Sequence, residues 1–328
     1  MGSLGKPSQP DRVGIIGAGV IGAAWSARWL LRGSDVSIFD PAAATERLVN
    51  EVLNNARHSW ERMGVAPLQE GSLTFANSVE EASEGAVLIQ ESIPEDVGAK
   101  KNALNQIEKS APASALIASS TSGLLPSRLQ EDMNNPERFL VGHPFNPVYL
   151  LPMVEVVGGD RTSDEAISSA IQFYEIAGMK PVHVRVEIDA FVADRLLEAV
   201  WREALWLIND GVATTHEIDD IIRFGFGLRW AQMGLFENYR IAGGEGGMKH
   251  FIEQFGPSLE WPWSKLTDTP ELTDELIDRI SEQSDEQSGH HTIRELERIR
   301  DNNLVDVLLA LESNSWGAGL SVSTLRDG

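Results

Sequence analysis

The sequence predicts an α/β protein in which a Rossmann-type, doubly wound parallel sheet is followed by a smaller all-helical domain. Up to about residue 188, short apolar segments alternate with stretches of helical periodicity, as in repeated βαβ units. Beyond that point only helical patterns occur. The length of 328 residues fits two domains, which we expect at 12–188 and 189–328. Residues 1–11 are rich in Gly, Ser and Pro and are expected to be a disordered lead-in, not a signal peptide.

The first strand–helix–strand unit, Val13–Asp40, contains a glycine-rich turn. Gly17, Gly19 and Gly22 stand in Gly-x-Gly-x-x-Gly spacing between a short apolar strand and a stretch of helix formers. The first glycine permits a tight turn, the second lets the backbone approach a pyrophosphate, and the third allows close packing of helix and strand. The N–H groups at the start of the helix then face the phosphates of a dinucleotide. The residues predicted to form this site are Gly17, Ala18, Gly19, Val20, Ile21 and Gly22.

The second strand of this unit, Val36–Phe39, is followed directly by Asp40. A carboxylate 18 residues after the third glycine can accept hydrogen bonds from the ribose hydroxyls of the adenosine half. The same carboxylate would repel the additional phosphate of NADP, because both groups are anionic. The unit therefore predicts NAD as the cofactor, with Asp40 as a further contact.

The next elements follow from periodicity and from helix start signals. Pro41–Met63 has the pattern of an amphipathic helix. Ser78 followed by two glutamates marks the start of another helix. Val87–Ile89 is predicted as a buried strand. A Pro-Glu-Asp segment at 94–96 then opens a helix to about residue 109, since proline and acidic residues favour a first helical turn.

Four more strands are predicted at 116–118, 139–141, 153–157 and 181–186. The last alternates valine with polar residues, as expected of a half-buried strand at the edge of a sheet. In the second domain, a long helix is predicted from Asp189 or Ala190 to Asn209. Thr292 and Glu295 form a capping-box pattern for a final helix through Leu311.

The composition limits the classes of partner. The net charge is −22, from 27 basic and 49 acidic residues, and nucleic-acid binding needs a basic surface. No window holds 18 consecutive apolar residues, so no membrane span is expected. The chain has no cysteine, so disulfides and thiolate metal sites are not possible. We therefore expect a cytoplasmic protein whose ligand is a small molecule.

Polar residues follow two of the predicted strands, at 119–122 and 143–146. Ligands of a doubly wound sheet bind beyond the carboxyl ends of its strands. His143 is the natural general base for alcohol oxidation, because an imidazole changes charge near neutral pH. Glu155, in an apolar strand, is the best candidate to orient it, and Ser122 is a candidate contact of the substrate hydroxyl. Spacing alone leaves open that His143 only bonds a loop backbone and that Glu155 faces solvent.

Five segments, taken in order, resemble the 3-hydroxyacyl-CoA dehydrogenase family. They are 13–40, Ser-Ser-Thr-Ser at 119–122, Gly-His-Pro-Phe-Asn-Pro at 142–147, Met-Val-Glu-Val at 153–156 and Asp-Arg-Leu-Leu at 194–197. The resemblance implies that His143 is the catalytic base, that Glu155 orients it, and that Ser122 contacts substrate and nicotinamide. It also implies that Glu95 and Lys100 lie near the cofactor, and that the helical domain forms a homodimer.

One residue departs from the family pattern, because Asp194 stands where the family usually has an asparagine that positions the substrate. An ionised aspartate cannot donate a hydrogen bond, but its charge suits a cationic substrate. The likeness is greatest to family members that oxidise L-carnitine, a hydroxy acid with a quaternary ammonium group. Aromatic faces bind such groups, which makes Trp230 a candidate for the ammonium group. Arg229 is a candidate for the substrate carboxylate, with a surface ion pair as the alternative.

The predicted function is therefore NAD-dependent oxidation of a cationic 3-hydroxy acid, with L-carnitine as the favoured substrate. Oxidation of L-gulonate or of a 3-hydroxyacyl-CoA stays open, as does a non-catalytic role like that of the lens crystallins recruited from this family. The adjacent pair His290-His291 precedes a capping box and cannot share one helix face. No metal site is predicted.

Overall fold

The structure is a computed structural model that describes residues 9–65, 69–242, 247–255 and 290–327, together with 271, 273–276, 278–279 and 283. Residues 1–8 of the predicted lead-in lie outside the described residues. The predicted α/β class is confirmed by an eight-stranded sheet with the order β3-β2-β1-β4-β5-β6-β7-β8. The strands are β1 (Arg12–Ile16), β2 (Asp35–Phe39), β3 (Leu73–Phe75), β4 (Leu88–Glu91), β5 (Leu116–Ser119), β6 (Phe139–Pro144), β7 (Met153–Gly158) and β8 (Lys180–Val184).

Every pair of neighbouring strands is parallel except β6 and β7, which are antiparallel. The parallel connections pass through helices, as the alternating sequence pattern predicted. These helices are α1 (Val20–Leu31), α2 (Thr45–Arg62), α3 (Val79–Ser83), α4 (Val97–Ser110), α5 (Pro126–Gln130) and α6 (Asp164–Ile176). The single antiparallel pair is the feature that brings residues of β6 and β7 directly opposite one another.

Side-chain caps explain where several of these helices begin. Ser78 accepts a hydrogen bond from the N–H of Glu81 at the start of α3. Asp96 caps α4 in the same way, so this helix begins at Val97 and the Pro-Glu-Asp segment precedes it. Each such cap satisfies a backbone donor that has no partner within the helix, and contributes about 1 kcal/mol.

The core on one side of the sheet joins side chains of β1, β4, β5 and β6 to α3, α4 and α5. Trp25 and Trp29 of α1 and Trp60 of α2 are also fully buried. Each large apolar side chain contributes roughly 1.5–3 kcal/mol to folding when it is fully buried. Arg28 of α1 is buried among them and donates to the carbonyl oxygen of Val148 at 2.6 Å. Burial, with a smaller effect from the neighbouring Arg32, lowers the pKa of Arg28 to about 9.

The chain forms two compact units. The first consists of residues 1–194, 300–312 and 319–328, and the second of 195–299 and 313–318. The remaining helices are α7 (Ala193–Asn209), α8 (Thr215–Ile221), α9 (Gly227–Ala242), α10 (Gly247–Phe255), α11 (Ile293–Ser313) and α12 (Leu320–Asp327), with a π-helical segment at Ile222–Phe226. The division at residue 188 into a nucleotide-binding and a dimerising domain stays a prediction. None of the helices among the described residues is long and apolar enough to cross a membrane.

The boundaries of α7 and α11 also differ from the sequence prediction. Helix α7 begins at Ala193 and not at Asp189 or Ala190. The reason is a turn in which Ala190 and Phe191 have φ of +60° and +48°, a conformation outside the right-handed helix. The capping box of Thr292 and Glu295 is present, with the Thr292 N–H donating to Glu295 Oε2 at 2.7 Å.

The helix that follows this capping box is not the last one. Helix α11 continues to Ser313, and α12 follows after a short 3-10 turn at Gly317–Gly319. Residues 300–312 of α11 and all of α12 belong to the first unit. Arg326 of α12 donates to the carbonyl oxygen of Met63, and the Tyr149 hydroxyl donates to Asp301 of α11.

Candidate active site

The antiparallel register of β6 and β7 sets His143 directly opposite Glu155. His143 Nδ1 lies 2.8 Å from Glu155 Oε2, and both side chains are buried. A carboxylate only accepts, so Nδ1 carries the proton and donates it. The neutral imidazole then has an unprotonated Nε2, which is the form that can accept a proton from a substrate.

The second oxygen of Glu155 is also satisfied. Its Oε1 accepts the backbone N–H groups of Val192 and Ala193, each at 3.0 Å. Burial by itself raises the pKa of Glu155, but the hydrogen bonds from His143, Ala193 and Val192 outweigh it and hold this pKa below its usual value. Glu155 is therefore an anion near neutral pH, held by three donors.

The turn before α7 supplies these two N–H groups. Its positive φ values at Ala190 and Phe191 direct the chain toward Glu155 and bury the Phe191 ring. The ring centroids of Phe191 and Phe145 lie 5.8 and 5.9 Å from the centroid of the His143 imidazole. This turn was not predicted from the sequence, because no glycine or proline marks it. Two aromatic rings and a fixed carboxylate thus restrict the orientation of the imidazole.

Asp194 is the second acidic side chain beside the imidazole. Its Oδ2 lies 3.9 Å from His143 Nε2, which is longer than a hydrogen bond, and the side chain is 26% exposed. The imidazole therefore lies between the carboxylates of Glu155 and Asp194. A positive charge that forms on the imidazole, or that a ligand brings beside it, is stabilised by both.

Ser122 is exposed in the loop that follows β5. Glu95 Oε1 accepts the N–H groups of Ser122 and Gly123 at 3.1 and 3.3 Å, and also the hydroxyl of Thr121. Glu95 thus holds the loop that carries Ser122. The family resemblance implies a position near the cofactor for Glu95, and this link to the loop was not predicted.

Lys100 is 1% exposed, and its Nζ lies 2.8 Å from Glu91 Oε1 and 3.5 Å from Glu95 Oε2. Glu91, at the end of β4, also accepts a hydrogen bond from the hydroxyl of Ser119. Lys100 therefore links Glu95, the other residue that the resemblance set near the cofactor, to Glu91, which was not among the predicted site residues. The polar pair Gln90-Glu91 at the end of an apolar strand is the sequence pattern that could have indicated Glu91 as a site residue.

The turn between β1 and α1 has the shape that a dinucleotide needs. Gly17 has φ of +95°, and a Cβ on it would lie 2.6 Å from the carbonyl oxygen of Ser92. A Cβ on Gly22 would lie 1.8 Å from the carbonyl oxygen of Gly17, whereas one on Gly19 would meet nothing within 4 Å. Gly19 is the N-cap of α1, so the first N–H groups of this helix have no side-chain cap. They are available to an anionic ligand.

Asp40 lies at the edge of this turn, where its Oδ2 accepts the N–H of Ala18 at 2.7 Å and its Oδ1 that of Ala42 at 2.8 Å. A carboxylate has about four acceptor positions, so two stay available for ribose hydroxyls. Beside it lies a cleft of about 280 Å³, lined by apolar side chains that include Phe39 and Pro41. Turn, carboxylate and apolar cleft together fit the pyrophosphate, ribose and adenine ring of NAD.

Arg229 and Trp230 both lie in α9, in the second unit. Arg229 is exposed, and Trp230 is 40% exposed with its ring 4.5 Å from that of Phe226. Their assignment to the substrate stays a prediction. Over the described ranges, no three or more His, Asp or Glu side chains are grouped so that they could hold a metal ion.

Comparison with known proteins identifies the family. Residues 12–188 match the NAD binding domain of 3-hydroxyacyl-CoA dehydrogenase, and residues 191–279 match the C-terminal domain of the same family. The chain is 56% identical over 317 residues to an L-carnitine dehydrogenase/betainyl-CoA thioesterase of Agrobacterium fabrum, covering 96% of the chain and 65% of that protein. It thus spans just under two thirds of this two-activity relative. It is also 56% identical over 315 residues to an L-carnitine dehydrogenase of Mesorhizobium japonicum, covering 94% of the chain and 86% of that protein.

A solved structure supports the same assignment. The structure of 5-formyl-3-hydroxy-2-methylpyridine 4-carboxylic acid 5-dehydrogenase, an NAD+-dependent dismutase, superposes with a TM-score of 0.78 at 25% identity. The match covers 92% of this chain and 98% of that protein. Two family domains in succession and relatives above 50% identity leave the family in no doubt. The chain belongs to the 3-hydroxyacyl-CoA dehydrogenase family and is an NAD-dependent oxidoreductase.

Proposed function

We propose that the chain oxidises the 3-hydroxyl of L-carnitine to give 3-dehydrocarnitine. The observation that carries this proposal is the carboxylate of Asp194, 3.9 Å from the Nε2 atom of His143. A cationic substrate whose hydroxyl reaches His143 brings its positive charge close to this carboxylate. The names of the relatives, which are L-carnitine dehydrogenases, support the same substrate.

In the proposed reaction, His143 Nε2 accepts the proton of the substrate hydroxyl. Glu155 keeps the proton of the ring on Nδ1 and stabilises the imidazolium that forms, as in other histidine–carboxylate pairs. Ser122 contacts the substrate hydroxyl and orients it toward His143. When NAD is bound, its nicotinamide ring supplies the hydride acceptor for the hydrogen on C3.

Recognition of the substrate would use charges at both of its ends. Asp194 attracts the trimethylammonium group, which cannot donate a hydrogen bond and is therefore recognised by charge and by aromatic faces. The sequence-based candidates for such a face and for the partner of the substrate carboxylate are Trp230 and Arg229. An asparagine at 194, as the family usually has, would lack the charge that a cationic substrate requires.

A substrate panel tests the proposal. NADH formation is measured with L-carnitine and with 3-hydroxy-5,5-dimethylhexanoate. In this analogue a carbon replaces the quaternary nitrogen, so the positive charge is lost while the shape of the molecule is kept. L-gulonate and 3-hydroxybutyryl-CoA complete the panel. We expect kcat/KM to be highest with L-carnitine, and to fall by about tenfold or more with the uncharged analogue. A preference for 3-hydroxybutyryl-CoA or L-gulonate would contradict the proposed substrate.

The Asp194→Asn variant separates charge recognition from catalysis. It should raise KM for L-carnitine by about tenfold or more while leaving KM for the uncharged analogue within about threefold. Glu165→Gln, which removes an exposed carboxylate from α6, is the matched control and should alter neither value. An equal rise of KM for both substrates would mean that Asp194 does not recognise the cation.

We also propose that the second unit forms a homodimer. Large apolar side chains are exposed on its helices, among them Leu196, Trp201, Phe224 and Phe236. An apolar cleft of about 350 Å³ between α7 and α8 adds to this surface. Monomeric proteins rarely expose so many large apolar groups together. Sedimentation equilibrium should give the mass of a dimer, and Trp201→Glu should shift it toward monomer; a monomeric wild type would rule the proposal out.

A further inference from the structure

Four side chains form a hydrogen-bonded cluster beside helix α1 that the proposed reaction does not use. We call it the serine network, and it consists of Ser120, Ser92, Gln90 and Trp25. Ser120 Oγ is its centre, with Gln90 Nε2 at 2.8 Å, Ser92 Oγ at 2.9 Å and Trp25 Nε1 at 3.2 Å. The network joins the ends of β4 and β5 to the helix that follows the glycine turn.

The side-chain amide of Gln90 has one possible orientation. Its Nε2 lies 3.3 Å from the carbonyl oxygen of Gly142, and a carbonyl can only accept a hydrogen bond. Nε2 must therefore face the carbonyl oxygen of Gly142, and Oε1 accepts a hydrogen bond from the hydroxyl of Tyr174 at 2.9 Å. It follows that Gln90 donates to Ser120 and does not accept from it.

This orientation fixes the proton of Ser120. An indole N–H can only donate, so Trp25 and Gln90 occupy both lone pairs of Ser120 Oγ. The proton of Ser120 must then point to Ser92 Oγ, the third neighbour. Ser92 accepts from Ser120 and keeps its own proton for another acceptor. Across the described residues, Ser120 is the partner that the structure gives to the Ser92 hydroxyl.

Ser92 lies against the glycine turn. Its N–H donates to the carbonyl oxygen of Ile16 at 2.7 Å, and its own carbonyl oxygen is 2.6 Å from the position of a Cβ on Gly17. Its Cβ is 3.3 Å from the position of a Cβ on Gly22. Ser92 is half-buried, whereas Ser120 Oγ is already fully engaged by its three neighbours.

We propose that Ser92 is a further cofactor-binding residue, whose hydroxyl donates a hydrogen bond to a phosphate oxygen in the central part of NAD. The network directs the proton of this hydroxyl away from Ser120, because Ser120 donates to Ser92 Oγ. A donor is the group that an anionic phosphate oxygen requires. Ser92 thereby adds a side-chain contact to a phosphate site otherwise built from the backbone N–H groups at the start of α1.

Binding measurements on the Ser92→Ala variant test this proposal. The Kd values of NADH, ADP-ribose and adenosine are measured by titration, without any turnover. NADH and ADP-ribose, which both contain the pyrophosphate, should bind about tenfold more weakly to the variant. Adenosine, which has no phosphate, should bind with an unchanged Kd. Unchanged binding of NADH and ADP-ribose would overturn the proposal, and so would an equal loss for all three ligands.

Ser120→Ala is the matched control within the network. It leaves the Ser92 hydroxyl in place but removes the acceptor of Gln90 and Trp25, so we expect a lower Tm of the ligand-free protein. Its Kd for NADH should stay within about threefold of the wild-type value. If Ser120→Ala weakened NADH as much as Ser92→Ala, the network would act as a scaffold, and direct donation by Ser92 would be overturned.

Discussion

His143→Ala is expected to lower kcat for the oxidation of the substrate hydroxyl by roughly 10³-fold, while NADH still binds. General base catalysis by a positioned side chain contributes about 10²–10⁴-fold, and this variant removes the base with nothing to replace it. The glycine turn and Asp40 lie on β1, α1 and the end of β2, away from β6. NADH formation gives kcat, and the fluorescence of bound NADH gives its Kd.

A second substitution at the same position controls for loss of packing. His143→Gln fills more of the space between Phe145 and Phe191, yet an amide is far too weak a base to accept the proton. We expect it to lose activity to a similar extent. A kcat within tenfold of wild type in either variant would exclude His143 as the base. Loss of NADH binding together with activity would instead indicate a collapsed site.

Glu155→Gln should also lower kcat by roughly 10³-fold, although it changes neither the size nor the shape of the side chain. The reason lies in the three donors around Glu155. The N–H groups of Val192 and Ala193 require an oxygen at the Oε1 position, so the amide must turn its NH₂ group toward His143. This NH₂ group donates to Nδ1 and moves the ring proton to Nε2. His143 then presents a donor where the reaction needs an acceptor.

The measurement for Glu155→Gln is kcat and KM with the same substrate, beside the Kd of NADH. KM and this Kd should stay within about threefold, because neither ligand contacts Glu155 in the proposed site. Glu165→Gln again serves as a control for the loss of one charge. A kcat close to that of wild type would mean that the tautomer of His143 does not depend on Glu155.

The nucleotide half of the fold could be read from the sequence because its signals are local. The glycines, the helix formers after them and Asp40 occupy one stretch of 28 residues from Val13. The pairing of His143 with Glu155 could not be derived in this way. It depends on β7 running antiparallel to β6 in one particular register, and a shift by one residue would turn Glu155 to the other face of the sheet.

Other parts of the site are non-local and left no pattern in the sequence. The turn at 189–192 consists of ordinary residues, and its positive φ values are stabilised by hydrogen bonds that the N–H groups of Val192 and Ala193 donate to Glu155 on the distant strand β7. The helical propensity of these residues therefore gave the wrong start for α7. The serine network draws Trp25, Gln90 and Ser120 from three separate elements. Only the folded chain brings such residues together.

The return of the chain to its first unit has a consequence for how the protein is made. Tyr149 and its partner Asp301 are 152 positions apart, and Arg326 contacts the carbonyl oxygen of Met63 over an even longer interval. During synthesis, the nucleotide-binding sheet emerges from the ribosome long before the helices that complete its packing. Val305 and Val322, which are fully buried in the folded chain, are not yet made at this stage. Contacts of such long range slow folding. A chaperone would therefore be most useful while the sheet is already synthesised and the last helices are not.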